Sequence, residues 1–208
     1  MIKLKCTLAT ASAILLCLTA CAETFRLAAY NVENYLDQPT ESRKNVKSDA
    51  AKAKVREVIL AMKPDVIAFE EMGSLSALLE LRDSLKKDGL DLPHYEHVTG
   101  FDTNIHVCVL SKFPIVTRRP HTNENFLLNG KRFFVSRGFS DVDIKVNDNY
   151  QFTLIGAHLK SRRTVPEADE AEMRFEEGRI LRDIVDKHLA EKPDANIVVL
   201  GDFNDTYN

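Results

Sequence analysis

The sequence predicts a layered α/β fold in which two β-sheets lie face to face and helices cover their outer sides. Three observations carry this reading. Strand and helix patterns follow one another in a mixed order: strand, helix, strand, helix, several strands with a hairpin, helix, strand. Strand candidates such as Val66-Ile67-Ala68-Phe69 and Ile197-Val198-Val199-Leu200 are continuously apolar, as expected where both faces are covered. The 208 residues fit one domain, and 44% hydrophobic content is enough to bury a core between such layers.

Taken in order, Phe25 to Ala29 reads as the opening strand, with Tyr30-Asn31-Val32-Glu33-Asn34 continuing past its end. A polar loop from Gln38 to Ser48 leads to a helix over Asp49 to Met62, where Val55, Val58, Ile59 and Met62 recur at helical spacing. Ser48 is its candidate N-cap and Pro64 its stop. The strand Val66 to Phe69 delivers Glu70 and Glu71. Ser74 caps a second helix, Leu75 to Lys87, and Gly89 terminates it. Tyr95 to Val98, His106 to Ser111 and Ile115 to Arg118 are the next strands. Arg132 to Val146 and Tyr150 to His158 form a predicted hairpin around Asn147-Asp148-Asn149. A third helix spans Glu167 to Ala190, with Phe175, Leu181, Ile184, Val185 and Leu189 on its buried side. Ile197 to Leu200 is the last strand. Gly201 frees the backbone there, and Asp202 and Asn204, two apart, share a side if the extended geometry persists.

Residues 1–22 read as an export leader. Lys3 and Lys5 precede an apolar stretch from Leu8 to Leu18, too short for an ordinary transmembrane helix. Ala20-Cys21-Ala22 fits a small-x-small cleavage rule that releases a secreted or periplasmic chain beginning at Glu23, and this is the preferred reading. Leu18-Thr19-Ala20-Cys21 also resembles a bacterial lipobox, which would leave Cys21 lipid-anchored in the outer envelope. Of four cysteines only Cys108 lies in the body, which excludes an internal disulfide once Cys21 is removed or lipidated. The net charge of −3 becomes −5 without the two leader lysines. Such a balance excludes global charge as the main hold on nucleic acid but leaves room for a local basic patch.

The chemistry collects at strand ends. Asn31, Glu71, His158 and the pair Asp202 and Asn204 each close a predicted strand, where layered α/β proteins place ligands. Carboxylate and amide oxygens suit Mg²⁺ or Mn²⁺ better than Zn²⁺. Lys160-Ser161-Arg162-Arg163 is either a solvated loop or a grip on phosphates. His94, His97, His106, His121 and His188 lack a ligand constellation and are expected to be structural or exposed, with His188 a solvated or helix-end residue.

These residues carry a resemblance. Tyr30-Asn31-Val32-Glu33-Asn34, Pro64-Asp65-Val66-Ile67-Ala68-Phe69-Glu70-Glu71, Gly156-Ala157-His158-Leu159 and Gly201-Asp202-Phe203-Asn204 resemble the ordered motifs of the endonuclease/exonuclease/phosphatase (DNase I-like) superfamily. The resemblance implies a four-layered α/β sandwich over 23–208. It implies a Mg²⁺- or Mn²⁺-dependent phosphoesterase, with a nuclease acting on nucleic acid expected first. A sphingomyelinase, an inositol-phosphate phosphatase or a non-catalytic binding protein of the same fold are the alternatives. By position, Glu71 and Asn31 would hold the metal, Asp202 would orient or deprotonate water, and Asn204 would hold a phosphate oxygen or the metal shell. His158 would assist at the scissile phosphate, with Arg137, Arg162 and Arg163 contacting substrate phosphates. Two departures stand out. Glu70 replaces a common Gln and is expected to add negative charge near the metal. The family's closing Ser-Asp-His motif is absent, so the domain is expected to be incomplete at its C-terminus and these 208 residues to hydrolyse little. No Trp and no aromatic-rich docking hairpin are evident, which disfavours a lipid substrate.

Overall fold

The computed structural model describes residues 24–206, so the predicted leader and Cys21 lie outside the described residues. β1 (Leu27–Tyr35), α1 (Asp49–Met62) and β2 (Val66–Met72) form a parallel βαβ unit. α2 (Leu75–Lys87) then leads to the antiparallel strands β3 (His94–Val98) and β4 (His106–Ser111), giving a sheet of order β1-β2-β4-β3. β5 (Ile115–Arg118), a separate hairpin of β6 (Asn125–Leu128) and β7 (Lys131–Phe134), β8 (Phe139–Asn147) and β9 (Tyr150–His158) follow. α3 (Glu170–Glu191) crosses to β10 (Ile197–Asp202), parallel to β9, in a sheet of order β10-β9-β8-β5.

Three apolar layers hold the stack. Val55, Ile59, Leu78, Leu81 and Leu85 of α1 and α2 bury against Ile67, Phe69, Cys108 and Leu110. Val66, Ala68 and Val109 of one sheet face Val142, Ile144, Phe152 and Leu154 of the other. Leu181 and Ile184 of α3 cover Phe139, Ile155 and Ala157. Strand alternation explains the division: Val66 and Ala68 point to the inter-sheet layer, Ile67 and Phe69 to the helices. The expected four-layered α/β sandwich is the observed fold.

The predicted caps are in place. Ser48 accepts a hydrogen bond from the Ala51 amide and Ser74 from the Ala77 amide, each at 3.3 Å. Five expectations are corrected. β1 and β2 run beyond their predicted ends, through the motif residues themselves. The stretch Arg132 to Val146 is two strands, because Gly138 adopts φ +67 against the His121 carbonyl and breaks the ladder. Its first part pairs with β6, so an aromatic hairpin with Phe126 and Phe133 in stacked contact does exist. α3 begins at Glu170 behind the cap Asp169, and Phe175 is 67% exposed. Its buried stripe is Met173, Glu177, Leu181 and Ile184, and Phe175 lies about 200° around the helix from Met173. β10 packs on both faces yet stays half-buried, since its far edge pairs with no strand among the described residues.

On the outer face of the second sheet, Asp141 is 2% exposed and gathers three cationic or donor groups. His188 Nε2 lies 2.7 Å and His121 Nε2 3.3 Å from its Oδ2, while Arg119 Nη2 donates to its Oδ1 at 2.9 Å. His188 is therefore tied from α3 to the sheet rather than solvated. Among the described residues no helix is long and apolar enough to cross a membrane.

Candidate active site

The parallel pairs β1/β2 and β9/β10 deliver their C-terminal ends to one mouth between the sheets. Up to Asn31 and Phe69 the pairing is regular, and then both strands bulge. Glu33, Asn34 and Glu71 take left-handed φ of 48°, 56° and 61°, conformations that non-glycine residues hold only when surroundings enforce them. The consequence is geometric. Strict alternation sends Glu70 toward the inter-sheet layer and Glu71 toward the helices, but the kink at Glu71 re-aims its carboxylate to the mouth.

There Asn31 Nδ2 bridges two carboxylates, donating to Glu71 Oε1 at 3.2 Å and to Asp202 Oδ2 at 3.0 Å. The Asn34 amide donates to Glu71 Oε2 at 3.1 Å. Asp202 is held from below: Gly201, with φ +139, lies so close to Ala157 that an added Cβ would stand 1.9 Å from its carbonyl oxygen. Extended geometry ends at Asp202. Asn204 turns to φ +52, its amide donates to Asp202 Oδ1 at 2.9 Å, and its Nδ2 donates to the Leu159 carbonyl at 3.0 Å. Its side-chain nitrogen thus fixes the turn that aims Asp202. His158 Nε2 is 3.9 Å from Asp202 Oδ2.

Arg137 is buried in the same mouth, its Nε 4.0 Å from Asp102 Oδ2. The other two predicted phosphate contacts stand further out. Arg162 is exposed and bound to Asp205 at 3.0 Å and to the Thr206 hydroxyl, and Arg163 is exposed on the same loop. An open cleft of about 560 Å³ runs past Ala29, Asn31, Glu70, Gly201, Asp202 and Asn204.

Burial dominates the electrostatics. Glu70 is 1% exposed, and burial together with the nearby Asp202 pushes its carboxyl up to about 8. Burial and Asp202 thus oppose the negative charge expected from the Gln-to-Glu difference. Burial, reinforced by Arg137 and Arg43 against the opposing pull of Asp202, brings His158 down to about 4. Its ring is neutral at physiological pH and can offer one N–H and one lone pair. Among the described residues, the buried side-chain atoms without a hydrogen-bond partner are Asn34 Oδ1, Glu70 Oε1, His106 Nδ1, Arg137 Nε and His158 Nδ1. Buried polar groups are nearly always paired, so this concentration at one end of the molecule marks a place shaped to meet polar ligand atoms.

The residues also fit a hard divalent ion. Glu71 offers carboxylate oxygens, Asn31 Oδ1 accepts from the Glu33 amide at 2.9 Å and keeps a second lone pair, and Asn34 Oδ1 is without a hydrogen-bond partner beside them. A largely hydrated Mg²⁺ needs only one or two protein carboxylates. Among the described residues no group of three His, Cys, Asp or Glu side chains is arranged as a ligand set.

Sequence reasoning missed several contributors. Glu177 of α3, fully buried, accepts from the Ser136 amide at 3.3 Å and the Lys160 amide at 2.6 Å, pinning the segments that carry Arg137 and His158. Arg43 comes from the polar loop after β1, and Asp102 from the loop after β3. The buried stripe of α3 could have exposed Glu177, since a carboxylate at a core position needs donors. Arg43 had no local signal.

No curated protein matches the chain by sequence. Solved structures share its fold at low identity. A variant of beta toxin from Staphylococcus aureus with bound magnesium ions is 19% identical with a TM-score of 0.65, over 88% of this chain and 66% of that one. Sphingomyelinase C from Streptomyces griseocarneus is 18% identical with a TM-score of 0.60, over 86% and 63%. Truncated TDP2 from Caenorhabditis elegans is 14% identical with a TM-score of 0.59, over 88% and 63%. The chain therefore spans less than two thirds of the length of these three structures. The family model described as Endonuclease/Exonuclease/phosphatase family matches residues 28–208, every motif position of the mouth included. The chain belongs to the Endonuclease/Exonuclease/phosphatase family.

Proposed function

We propose that this is an exported, Mg²⁺- or Mn²⁺-dependent phosphodiesterase that hydrolyses nucleic acid by attack of water on phosphorus. The observation that carries the reading is the convergence of Asn31, Glu71, Asp202 and His158 from four separate strands onto one mouth, beside the buried guanidinium of Arg137. Asn31 and Glu71 would hold the metal, which when bound supplies positive charge to the phosphoryl oxygen. Asp202 is aimed by Asn31 and Asn204, so its carboxylate can orient a water and take its proton. Arg137 offers an unpartnered Nε–H to a phosphate oxygen. The neutral His158 donates a hydrogen bond where charge develops on phosphorus-bound oxygen. Glu177 keeps both segments in register without touching substrate.

A specific observation favours a second reading: one similar fold is that of a sphingomyelinase C, and the aromatic hairpin absent from expectation is present. The intact protein assayed in Mg²⁺ on single-stranded DNA, plasmid DNA, RNA, sphingomyelin vesicles and inositol phosphates separates the two. Turnover of nucleic acid, abolished by chelation, is expected. Turnover of sphingomyelin alone would replace this reading with the lipid one, and binding of nucleic acid without turnover of any substrate would leave a binding protein.

A further inference from the structure

We propose that the stacked pair Phe101 and Phe134 is a subsite for the nucleobase beside the scissile phosphate, and that it selects unpaired nucleic acid as substrate. The proposal rests on the phosphodiesterase reading above and deepens it. The two rings lie 4.7 Å apart with 4° between their planes. Phe101 is 66% exposed, so one face is covered by Phe134 and the other is open. Exposed single aromatics need no explanation, but a coplanar pair held in place does.

Strand polarity puts this pair at the mouth. β3 runs parallel in direction to β2, so the loop that follows it, carrying Phe101, leaves from the same end as Glu71. β8 runs opposite to β9, so the segment entering it from Phe134 arrives at the end where His158 stands. The two segments are locked together on either side of Phe101. Gly100 packs so tightly on Arg137 that an added Cβ would lie 2.4 Å from its carbonyl carbon, and the Asp102 amide donates to the Ser136 carbonyl at 2.6 Å. The open aromatic face is therefore fixed relative to Arg137: Phe101 adjoins the Gly100 that packs on it, and Phe134 lies three residues before it.

The surroundings choose the ligand. Arg137 and Arg43 bring positive charge to the mouth beside the acids Asp202 and Asp102, and Lys131 and Arg132 stand on the hairpin that ends in Phe134. A ring stacked on a flat aromatic face with cations spaced along its flank matches a base and its phosphates. Bases in a duplex are stacked on one another and cannot reach such a face, whereas single strands can offer them. A fatty acyl chain would gain nothing from coplanarity.

The test is fluorescence anisotropy of labelled oligonucleotides with the full chain in Ca²⁺, which suppresses turnover. Wild type, Phe101→Ala and Phe101→Trp are compared on a single strand, on the same strand made abasic, and on a duplex, with phosphatidylcholine vesicles as a further arm. Wild type is expected to prefer the natural strand, Phe101→Ala to bind it about tenfold more weakly while binding the abasic strand unchanged, and Phe101→Trp to retain wild-type affinity. If Phe101→Ala binds the natural strand as wild type does, or loses affinity for the abasic strand equally, the subsite is overturned and the nuclease reading stands. If wild type binds no strand, the nucleic-acid reading itself falls. Loss of vesicle binding by Phe101→Ala with strand binding intact would assign the rim to lipid and overturn the proposal.

Discussion

Asp202→Asn is expected to lower kcat on a phosphodiester by about 10³-fold, within the usual range for loss of a general base, with the fold retained. Asn has the shape of Asp but cannot take a proton. Its single oxygen must also choose between the Asn204 amide and Asn31 Nδ2, which the two carboxylate oxygens of Asp202 satisfy together at 2.9 and 3.0 Å. That lost hydrogen bond is worth about 1 kcal/mol, so stability should fall only slightly. Single-turnover rates with thermal melting of both proteins check this. Activity within tenfold of wild type at unchanged melting temperature would remove Asp202 from the chemistry.

The second large effect lies away from the mouth. Asp141→Asn is expected to destabilise the domain by about 3 kcal/mol, the lower end for breaking a buried ion pair, because Asp143 still holds Arg119 at 2.7 Å. Burial would raise the Asp141 carboxyl, but hydrogen bonds from His121, Arg119 and His188 outweigh it and hold it at about 2. Its contribution is present above its ordinary value near 3.8 and is lost as pH falls through about 2. For His121, hydrogen bonding to Asp141 outweighs burial and raises the imidazole above 6.5. That contribution is complete below about pH 6.5 and fades as pH rises through the folded value. The stability gap between wild type and Asp141→Asn should therefore be widest between about pH 4 and 6.5. Urea unfolding across pH measures it, and a gap that is flat with pH would mean the network carries no titrating charge.

Much of the fold was legible because local and tertiary signals agree. Ser48, Ser74 and Gly89 punctuate helices whose apolar stripes are real, and continuous apolar strands reported two covered faces. The misreadings have local causes. Phe175 is apolar but lies off the buried stripe of its helix by angle, and the pause at Gly138 is invisible without the His121 carbonyl that enforces it. At the site, Asn31, Glu71, His158 and Asp202 were legible as polar residues closing strands. That the Glu70 carboxyl is buried and raised was not, because it depends on burial between the sheets and on the opposing sheet bringing Asp202 near. The aromatic pair was equally hidden, since Phe101 and Phe134 are thirty-three residues apart and meet only through the Gly100 and Arg137 packing.

The claim that this mouth is a metal site is tested most directly by titrating Mn²⁺ into the intact protein and following the free ion by electron paramagnetic resonance, for wild type and Glu71→Gln. Wild type is predicted to bind Mn²⁺ in competition with Mg²⁺, and Glu71→Gln to bind at least about tenfold more weakly with the fold intact. Equal Mn²⁺ binding by the two proteins would contradict the assignment.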